Sequence, residues 1–262
     1  MSQYSVWIEG TAKKNRSNIV LALDLTKLGP KKLLSNCLRI LKETASSICA
    51  IKLNRQVVLP LGLRDGIQII IKLAHKLDLP IIMDCKINDV GHTNEAIAEQ
   101  YFSAGFDAVT VSPFVGWKDG VEPVFKLARQ LGKGVILLVY MSHKGAEEGY
   151  GQTVLDPKTG EPRPQYMIFA EKALKWGADG AVVGATYPEK ISVIYKTLGT
   201  KVPIYSPGVR VQGGDVEAAI QAGATYLIIG RAIFNSANPQ KTSSNLKNQI
   251  NEIVTKQRIQ RS

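Results

Sequence analysis

Four charged residues near the ends of two predicted strands are the side chains of this chain best suited to chemistry. Asp84, Lys86 and Asp89 lie within the six residues "DCKIND", directly after the apolar run "LPIIM", and Lys52 lies in the run "SICAIKLN". A fixed ammonium group stabilises negative charge that develops in a reaction and can supply a proton. The structural alternative is an ordinary salt bridge with solvated neighbours. Because four crowded charges are costly to desolvate, they stabilise a fold poorly, and we favour a functional interpretation.

The elements that must position these residues alternate along the chain. Eight short apolar runs are each followed by a segment with apolar residues at three- and four-residue spacing, which is typical of helices. The predicted strands are 18–25, 47–54, 79–86, 107–114, 133–141, 179–186, 202–209 and 225–232. Eight strand–helix units predict an α/β fold, a (β/α)8 TIM barrel. A doubly wound open sheet is the alternative, but the first strand leads into "LDLTKLGPK" and not into a GxGxxG turn.

A barrel of this kind brings the polar residues at its strand ends to one face. The residues at the carboxyl ends of the predicted strands are Asp24, Lys52, Asp84, Lys86, Ser112, Ser142, Gly230 and Arg231. That face is where (β/α)8 barrels carry out chemistry. Because side chains alternate along a strand, Asp84 and Lys86 should point into the barrel mouth and Cys85 toward the helices. Asp89 lies just beyond, on the loop that leads to a helix near Thr93.

A second candidate site follows the seventh and eighth predicted strands. The stretch "SPGVRVQGGD" (206–215) is a glycine-rich turn before a helix, and "IIGRAI" (228–233) places Gly230 and Arg231 at the end of the last strand. Loops at these two places form the usual phosphate site of the fold. Glycine backbone N–H groups can approach oxyanions closely, and the Arg231 guanidinium offers a bidentate contact. An ordinary glycine-rich loop is the alternative to a phosphate site.

Three segments fall outside the eight units of the single predicted domain, 1–262. Residues 1–17 form an N-terminal extension, and residues 240–262 are predicted to form a final helix with a basic tail. The stretch 142–164, between the fifth strand and its helix, is rich in glycine, proline and charge. It is far longer than ordinary connections in α/β units, so we predict a long active-site loop or lid.

Composition and charge narrow the class of protein. The chain has 262 residues, 45% of them hydrophobic, and a net charge of +11. No apolar run approaches the roughly 18 residues of a membrane-spanning helix, and the N-terminus has no apolar region typical of a secretory signal. The 3 cysteines lack metal-type spacing and indicate reduced thiols in a cytoplasmic protein. The basic residues are scattered without a nucleic-acid-binding motif, so we expect a basic solvated surface that can also steer an anionic small molecule.

In combination these motifs resemble the signature of the orotidine 5′-monophosphate decarboxylase family. Its Asp-x-Lys-x-x-Asp-x-x-x-Thr pattern stands here as Asp84, Lys86, Asp89 and Thr93. The resemblance runs in order from about residue 18 to 236 and includes "LALDL", Lys52, "PGVRVQGGD" and "IIGRAI". The glycine-rich motif is more similar to the archaeal and bacterial branches than to the branch fused to a phosphoribosyltransferase.

The resemblance implies a homodimeric barrel that converts orotidine 5′-monophosphate to UMP and CO2 in pyrimidine biosynthesis. No metal and no organic cofactor is implied. Lys86 would be the general acid that protonates C6 as CO2 leaves, with Asp84 beside the scissile carboxylate. Lys52 would order the charged array and contact the ribose.

The resemblance also assigns the remaining site residues. Asp24 would bind a ribose hydroxyl, and Ser142 would meet the pyrimidine. Asp89 and Thr93 would enter the site of the neighbouring subunit. The residues implied around the phosphate are Pro207, Gly208, Gln212, Gly230 and Arg231. Two features depart from the family pattern: the 142–164 loop is longer than expected, and Arg210 stands in the phosphate loop where a small residue is common.

Two rival functions stay open at this point. Ketogulonate-phosphate decarboxylases and hexulose-phosphate synthases share Asp-x-Lys-x-x-Asp but use Mg²⁺, typically with a glutamate ligand on strand two. Lys52 stands at that position here, and its ammonium would repel a cation. The other rival is a basic barrel that binds nucleic acid without catalysis. Release of UMP from orotidine 5′-monophosphate in the presence of EDTA would separate the three.

Overall fold

The computed structural model describes residues 1–156, 159–209 and 214–261, and within these ranges eight parallel strands close into a barrel. The strands in chain order are β1 (Ile19–Ala22), β2 (Ala50–Asn54), β3 (Ile81–Ile87), β4 (Ala108–Val111), β5 (Gly134–Tyr140), β6 (Thr153–Leu155), β7 (Pro162–Pro164), β8 (Gly180–Val183), β9 (Ile204–Pro207) and β10 (Tyr226–Ile229). The barrel runs β1-β10-β9-β8-β5-β4-β3-β2, and β6 and β7 form a separate antiparallel pair. The predicted (β/α)8 fold is confirmed.

Helices follow the barrel strands and cover the outside of the barrel. Their bounds are α1 (Gln3–Asn15), α2 (Pro30–Thr44), α3 (Arg55–Leu61), α4 (Ile67–Lys76), α5 (Gly91–Ser103), α6 (Glu122–Gln130), α7 (Ala146–Gly149), α8 (Gln165–Trp176), α9 (Pro188–Leu198), α10 (Gly214–Ala222), α11 (Arg231–Phe234) and α12 (Pro239–Arg261). None of the helices within the described ranges is both long and apolar enough to cross a membrane.

The core forms because the barrel strands are apolar on both faces. Every residue of β1, β4, β5, β8 and β10 is buried. Parallel strands covered by helices are buried on both sides, which explains why their sequences are nearly continuous apolar runs. β1 closes the barrel because Val20 pairs with Ala50 of β2 on one side and with Ile228 of β10 on the other.

The helices pack on this barrel through one apolar stripe each. In α2 the buried residues recur at three- and four-residue spacing and are Leu33, Cys37, Ile40, Leu41 and Thr44. The helix begins with Pro30 after Gly29, and proline suits the first position because the N–H that it lacks has no partner within a helix. Such stripes hold the barrel strands in place and leave the carboxyl ends of the strands free.

The N-terminal extension is a helix that covers the amino end of the barrel. Tyr4 of α1 is 1% exposed, and its hydroxyl lies 3.1 Å from that of Tyr205 in β9. Gly134 makes room for the Tyr4 ring, because a Cβ at this glycine would lie 2.3 Å from a ring carbon. Ser2 and Ser5 donate hydrogen bonds to Asp179, which stands directly before β8. The sequence indicated only that residues 1–17 precede the first strand.

The long segment 142–164 contains regular structure. It forms the short helix α7 and the hairpin of β6 and β7, in which Thr153 pairs with Pro164 and Leu155 with Pro162. Arg163 ties the hairpin down through ion pairs with Asp156 and with Glu171 of α8. Its role as an active-site loop or lid stays a prediction.

Candidate active site

A cavity of about 500 Å³ opens at the carboxyl ends of the barrel strands. Nine of the residues predicted for the site line it, namely Asp24, Lys52, Asp84, Lys86, Ser142, Pro207, Gly208, Gly230 and Arg231. They come from six barrel strands or from the loops that follow those strands, so their convergence depends on closure of the barrel. We call this cavity the mouth.

A larger cavity of about 1080 Å³ lies at the opposite end of the barrel, beside α1. Several of the charged side chains that line it bind other groups of the protein. Lys13 pairs with Glu9, and Lys133 pairs with Asp107. Arg129 donates to the carbonyl of Trp176 in α8. Such contacts stabilise the fold at this end of the barrel. The larger volume of this cavity is therefore not a reason to choose it as the candidate site.

A chain of ion pairs runs across the mouth. The Lys52 ammonium lies 2.9 Å from Asp84 Oδ2 and 3.3 Å from Asp24 Oδ2. The Lys86 ammonium lies 2.6 Å from Asp84 Oδ1. Asp84 therefore bridges the two lysines, one on each carboxylate oxygen. The sequence predicted that four charges share one site. Lys52, Asp84 and Lys86 do so within this chain, whereas Asp89 does not line the same cavity.

Burial and charge act in opposite directions on this array. Burial alone would raise the pKa of Asp84, but the charges of Lys52 and Lys86 and their hydrogen bonds hold this pKa well below its usual range. Burial would lower the pKa of Lys52, but Asp84 and Asp24 outweigh it and raise this pKa. Both residues are therefore charged at neutral pH. The Lys86 side chain is 27% exposed, compared with 7% for Lys52, so Lys86 is the more accessible ammonium.

The backbone that carries Lys86 has an unusual conformation. Its φ is +50°, in the left-handed region, which costs a non-glycine residue about 1–2 kcal/mol. The pairing of β3 with β4 is irregular here, because Met83 faces Val109 whereas Ile87 faces Val111. Four steps along β3 therefore correspond to two along β4. Asp84 and Lys86 both reach the mouth as predicted, although through an irregular strand and not through simple alternation.

Asp89 and Thr93 do not line the mouth of their own chain. Asp89 is exposed on the loop after β3, and its carboxylate accepts the N–H of Val90 at 2.7 Å. Its own N–H donates to Asn94 Oδ1 at 2.9 Å, which fixes the loop against the start of α5. Thr93 lies on that first turn of α5 and is half-buried. The resemblance assigns both residues to the neighbouring subunit's site, and that role stays a prediction.

Ser142 is packed between two glycines at the rim. A Cβ on Gly184 would lie 2.6 Å from Ser142 Cα, and a Cβ on Gly208 would lie 2.9 Å from Ser142 Cβ. Gly208 also has a φ of +88°, which favours glycine. Thr186 donates to the Ser142 carbonyl at 3.0 Å. These contacts fix the serine beside the cavity.

The predicted phosphate site is described in part. Gly230 needs to be glycine, because a Cβ there would lie 2.9 Å from the carbonyl oxygen of Ala22 in β1. Arg231 follows at the start of α11 and is exposed at the edge of the mouth. Gln212 and Arg210 lie outside the described residues. Gly208, Gly230 and Arg231 thus place a cation and two glycine backbones on the side of the mouth formed by β9 and β10.

Several lining residues were missed in the sequence. Thr110 of β4 donates to Asp84 Oδ1 at 3.0 Å, and Gln56 donates to the Asp24 carbonyl at 3.0 Å. Thr26 and Asn54 also line the cavity. A threonine within "DAVTVSPF" carries no signal of its own, because β-branched residues are ordinary in strands. Only its neighbours in the closed barrel show that its hydroxyl belongs to the site.

Within the described residues, the structure contains no group of three or more His, Cys, Asp or Glu side chains that could hold a metal ion. The carboxylates of the mouth instead bind ammonium groups.

Comparison with a known family gives a match over most of the chain. The model of the "Orotidine 5′-phosphate decarboxylase / HUMPS family" matches residues 17–246. The orotidine 5′-phosphate decarboxylase of Thermococcus kodakarensis is 37% identical over 238 residues, which cover 91% of this chain and 99% of that protein. The enzyme of Methanococcoides burtonii is 34% identical over 239 residues, with the same coverage.

Solved structures give the same likeness. Orotidine 5′-monophosphate decarboxylase from Methanocaldococcus jannaschii, complexed with the inhibitor BMP, aligns with a TM-score of 0.75 and 30% identity over 90% of this chain and 99% of that chain. The Leishmania donovani OMP decarboxylase has a TM-score of 0.81 at 24% identity, over 97% of this chain and 98% of that chain, and shows the shared fold alone.

Proposed function

Because the chain belongs to the orotidine 5′-phosphate decarboxylase / HUMPS family, we propose that its mouth converts orotidine 5′-monophosphate to UMP and CO2. Such an enzyme is a carboxy-lyase of pyrimidine biosynthesis. The observation that carries the proposal is the bridge from Lys52 through Asp84 to Lys86 at 2.9 and 2.6 Å, inside a cavity of about 500 Å³. A cavity of this size accommodates a small organic ligand.

Lys86 is the proton donor in this proposal. As the bond between C6 and the carboxylate carbon breaks, CO2 leaves and the electron pair stays on C6 of the pyrimidine. That pair takes a proton from the Lys86 ammonium, and the neutral amine then recovers a proton from water. The ring offers no good electron sink for the pair, so a fixed positive charge at C6 supplies the stabilisation.

Asp84 and Lys52 prepare the site for this step. Asp84 adds negative charge beside the substrate carboxylate, and that repulsion is relieved when CO2 departs. It also forms an ion pair with the Lys86 ammonium, which lies 2.6 Å away. Lys52 forms ion pairs with Asp84, on the other carboxylate oxygen, and with Asp24. In this proposal Asp24 accepts a hydrogen bond from a ribose hydroxyl.

The phosphate is bound away from the reacting carbon. Gly208, Gly230 and Arg231 lie on the opposite side of the mouth from β3. Gln212, which lies outside the described residues, follows Gly208 by four positions in the sequence. Ser142, between these groups and the charged array, would meet the pyrimidine. Binding energy from the phosphate can hold the reacting end in place, which raises the rate even though the phosphate takes no part in the chemistry.

The test is formation of UMP from orotidine 5′-monophosphate by the purified chain in EDTA. We expect turnover in the wild type and a loss of at least about a thousandfold in Lys86→Ala, which removes both the proton donor and the charge at C6. Lys133→Ala is the matched control, because Lys133 forms an ion pair of 2.9 Å at the opposite end of the barrel. UMP binding and the unfolding midpoint should show that Lys86→Ala is folded. Near-normal turnover in Lys86→Ala would refute the mechanism.

A magnesium-dependent member of the family is the rival, and Lys52 opposes it. Its ammonium already binds Asp84 and Asp24, at the place where a cation would need their oxygens free. Turnover that disappears in EDTA and returns with Mg²⁺ would favour the rival, and no turnover of orotidine 5′-monophosphate under either condition would refute the proposed reaction.

We also propose a homodimer in which each site is shared. Asp89 is exposed beyond the end of β3 and does not line its own mouth, and Val90 beside it is 53% exposed. Asp89 and Thr93 would then complete the partner's site. If so, mixing the inactive variants Lys86→Ala and Asp89→Ala should restore activity. One site of each mixed dimer would be intact, which predicts about half the wild-type activity per mixed dimer. A mixture that forms such dimers, confirmed by mass, and stays inactive would refute the shared site.

A cytoplasmic location is the last part of the proposal. Cys37, Cys49 and Cys85, all within the described residues, are buried and free of disulfide bonds. Free thiols are usual in reducing compartments. Labelling of unfolded protein from cells with a thiol reagent tests this, because 3 reactive thiols are expected per chain.

A further inference from the structure

The hydroxyl group of Thr110 contacts both Asp84 and Lys86 in the mouth. Thr110 of β4 is 3% exposed and lines the cavity. Its Oγ1 accepts the backbone N–H of Lys86 at 2.9 Å and lies 3.0 Å from Asp84 Oδ1. The Lys86 ammonium binds the same Asp84 oxygen at 2.6 Å. The three residues therefore form a closed ring of hydrogen bonds.

The direction of each bond in the ring is fixed. The Lys86 N–H can only donate, so Thr110 Oγ1 is the acceptor there. Asp84 is ionised, because its pKa is held low despite burial by Lys52 and Lys86, so its oxygen accepts. The single hydroxyl proton of Thr110 is thus directed at Asp84. A hydroxyl used in this way cannot rotate freely between partners.

The ring lies where the backbone of β3 departs from regular pairing. Lys86 has a φ of +50°, and β3 has two extra residues relative to β4 between Met83 and Ile87. A residue held in a sparsely populated conformation needs surrounding structure to keep it there. The Thr110 hydroxyl is a contact that holds both the N–H of this residue and the carboxylate that its ammonium binds.

We propose that Thr110 is a positioning residue for the proton donor. It keeps the backbone of Lys86 and the carboxylate of Asp84 in fixed relation, so that the ammonium stays aimed at C6. This inference rests on the proposed decarboxylation, in which Lys86 delivers the proton. Without the hydroxyl, Lys86 remains present and charged but is displaced, and a displacement of about 1 Å at a reacting group can cost roughly a hundredfold in rate.

The test is a series at residue 110 compared with a matched threonine elsewhere. Thr110→Val keeps the shape and removes both hydrogen bonds, and Thr110→Ser keeps the hydroxyl. We expect kcat to fall about 10- to 100-fold in Thr110→Val with the Kd for UMP nearly unchanged, and Thr110→Ser to recover most of the loss. Thr225→Val is the control, because Thr225 Oγ1 accepts the N–H of Ile204 at 3.3 Å at the amino end of β9. Its kcat should equal that of the wild type.

Each other outcome has a definite meaning. A kcat of Thr110→Val close to that of the wild type overturns the inference, and so do equal losses in Thr110→Val and Thr110→Ser. A loss that appears as weaker UMP binding also overturns it, because the role would then be in binding. If Thr110→Val does not fold, Thr110→Ala takes its place under the same criteria. An inactive wild type would refute the proposed function, whereas an active wild type with an active Thr110→Val refutes this inference alone.

Discussion

Both ends of the barrel carry carboxylates that are buried or half-buried, but the groups that bind these carboxylates differ. At the end covered by α1, Asp107 and Asp179 stand directly before β4 and β8. Each accepts a backbone N–H from the neighbouring strand, Asp107 from Ile81 and Asp179 from Val135, both at 3.0 Å. Buried backbone groups need such partners, so these carboxylates are explained by folding alone.

At the mouth, the half-buried carboxylate of Asp84 is bound by side chains. In the part of the chain that the structure describes, Asp84 accepts hydrogen bonds from Lys52, Lys86 and Thr110. Lys52 is 7% exposed, whereas Lys133, which binds Asp107 at the opposite end, is 22% exposed and reaches water more easily. Desolvating two cations around one carboxylate costs free energy. Unlike the bonds of Asp107 and Asp179, these ion pairs do not link neighbouring strands through the backbone. A carboxylate bound by side chains at a cavity thus indicates function, whereas a carboxylate that also accepts a backbone N–H of the neighbouring strand indicates a structural role.

The largest expected effect on activity comes from comparing one carboxylate substitution at each end of the barrel. Asp84→Asn should lower kcat/KM at least about a thousandfold, because the array loses the charge that holds both lysines. Asp107→Asn should leave kcat/KM near the wild-type value and lower the free energy of unfolding by about 1–3 kcal/mol, the range for hydrogen bonds to charged groups. Steady-state kinetics and urea unfolding of both variants measure the two quantities. A large activity loss in Asp107→Asn would contradict the division between the ends.

The sequence predicted the convergence at the mouth well, for a physical reason. Carboxyl ends of parallel strands meet at one face, so Asp24, Lys52, Asp84 and Lys86 had to be neighbours once eight strand–helix units were recognised. The predicted strands placed Asp84 at a carboxyl end and Asp107 at the amino end of 107–114, but the sequence could not show which groups bind either carboxylate. Their difference depends on which atoms of other strands lie opposite each carboxylate.

Other features needed contacts between distant parts of the chain. Lys86, whose backbone is left-handed, donates its N–H to the hydroxyl of Thr110, 24 residues away. The hairpin within 142–164 is stabilised by Arg163, which binds Asp156 and Glu171, whereas the composition of this region predicted only a loop. In α1, Tyr4 reaches Tyr205 across 201 residues. Periodicity reports which face of an element is apolar, and it carries no information on such partners.

A smaller effect on kcat/KM is expected from replacing an arginine at the mouth, compared with an arginine at the opposite end. Arg231→Ala at the mouth should lower kcat/KM by about a hundredfold, the scale of a lost charge-assisted contact to phosphate. The loss should shrink greatly with a substrate that lacks the phosphate. Arg129→Ala is the control, since Arg129 donates to the Trp176 carbonyl at 2.6 Å at the other end and should leave the kinetics unchanged. Equal losses with both substrates would show that Arg231 acts elsewhere.

Two glycines give the next comparison. Gly184→Ala brings a methyl group against Ser142, with Cβ 2.6 Å from its Cα, and should lower kcat/KM about tenfold by displacing the serine. Gly134→Ala instead meets the Tyr4 ring at 2.3 Å and should cost about 1–3 kcal/mol of stability, as overpacking does, with kcat/KM retained in the folded fraction. Kinetics below the unfolding temperature of each variant separate the two effects. A Gly184→Ala variant with normal kinetics would argue against a role for Ser142.

The smallest effect concerns the pH dependence of stability at the end opposite the mouth. Burial would raise the pKa of Asp107, but the hydrogen bond from His75 and the charge of Lys133 hold this pKa below its usual range. A carboxyl whose folded pKa is lowered stabilises the fold above its unfolded pKa, about 3.9, and loses that contribution as the pH falls through the folded value.

The difference in unfolding free energy between wild type and Asp107→Asn should therefore be constant from about pH 5 to 6 and shrink as the pH falls below about 4. Urea unfolding at several pH values measures this difference, and the asparagine, which does not titrate in this range, supplies the reference. Lys133→Ala should show a smaller decrease, because one of the groups that lowers the pKa is gone while His75 remains. A difference that grows as the pH falls would mean that Asp107 is destabilised by its surroundings, and the distinction between a structural and a functional carboxylate would lose its basis at this end of the barrel.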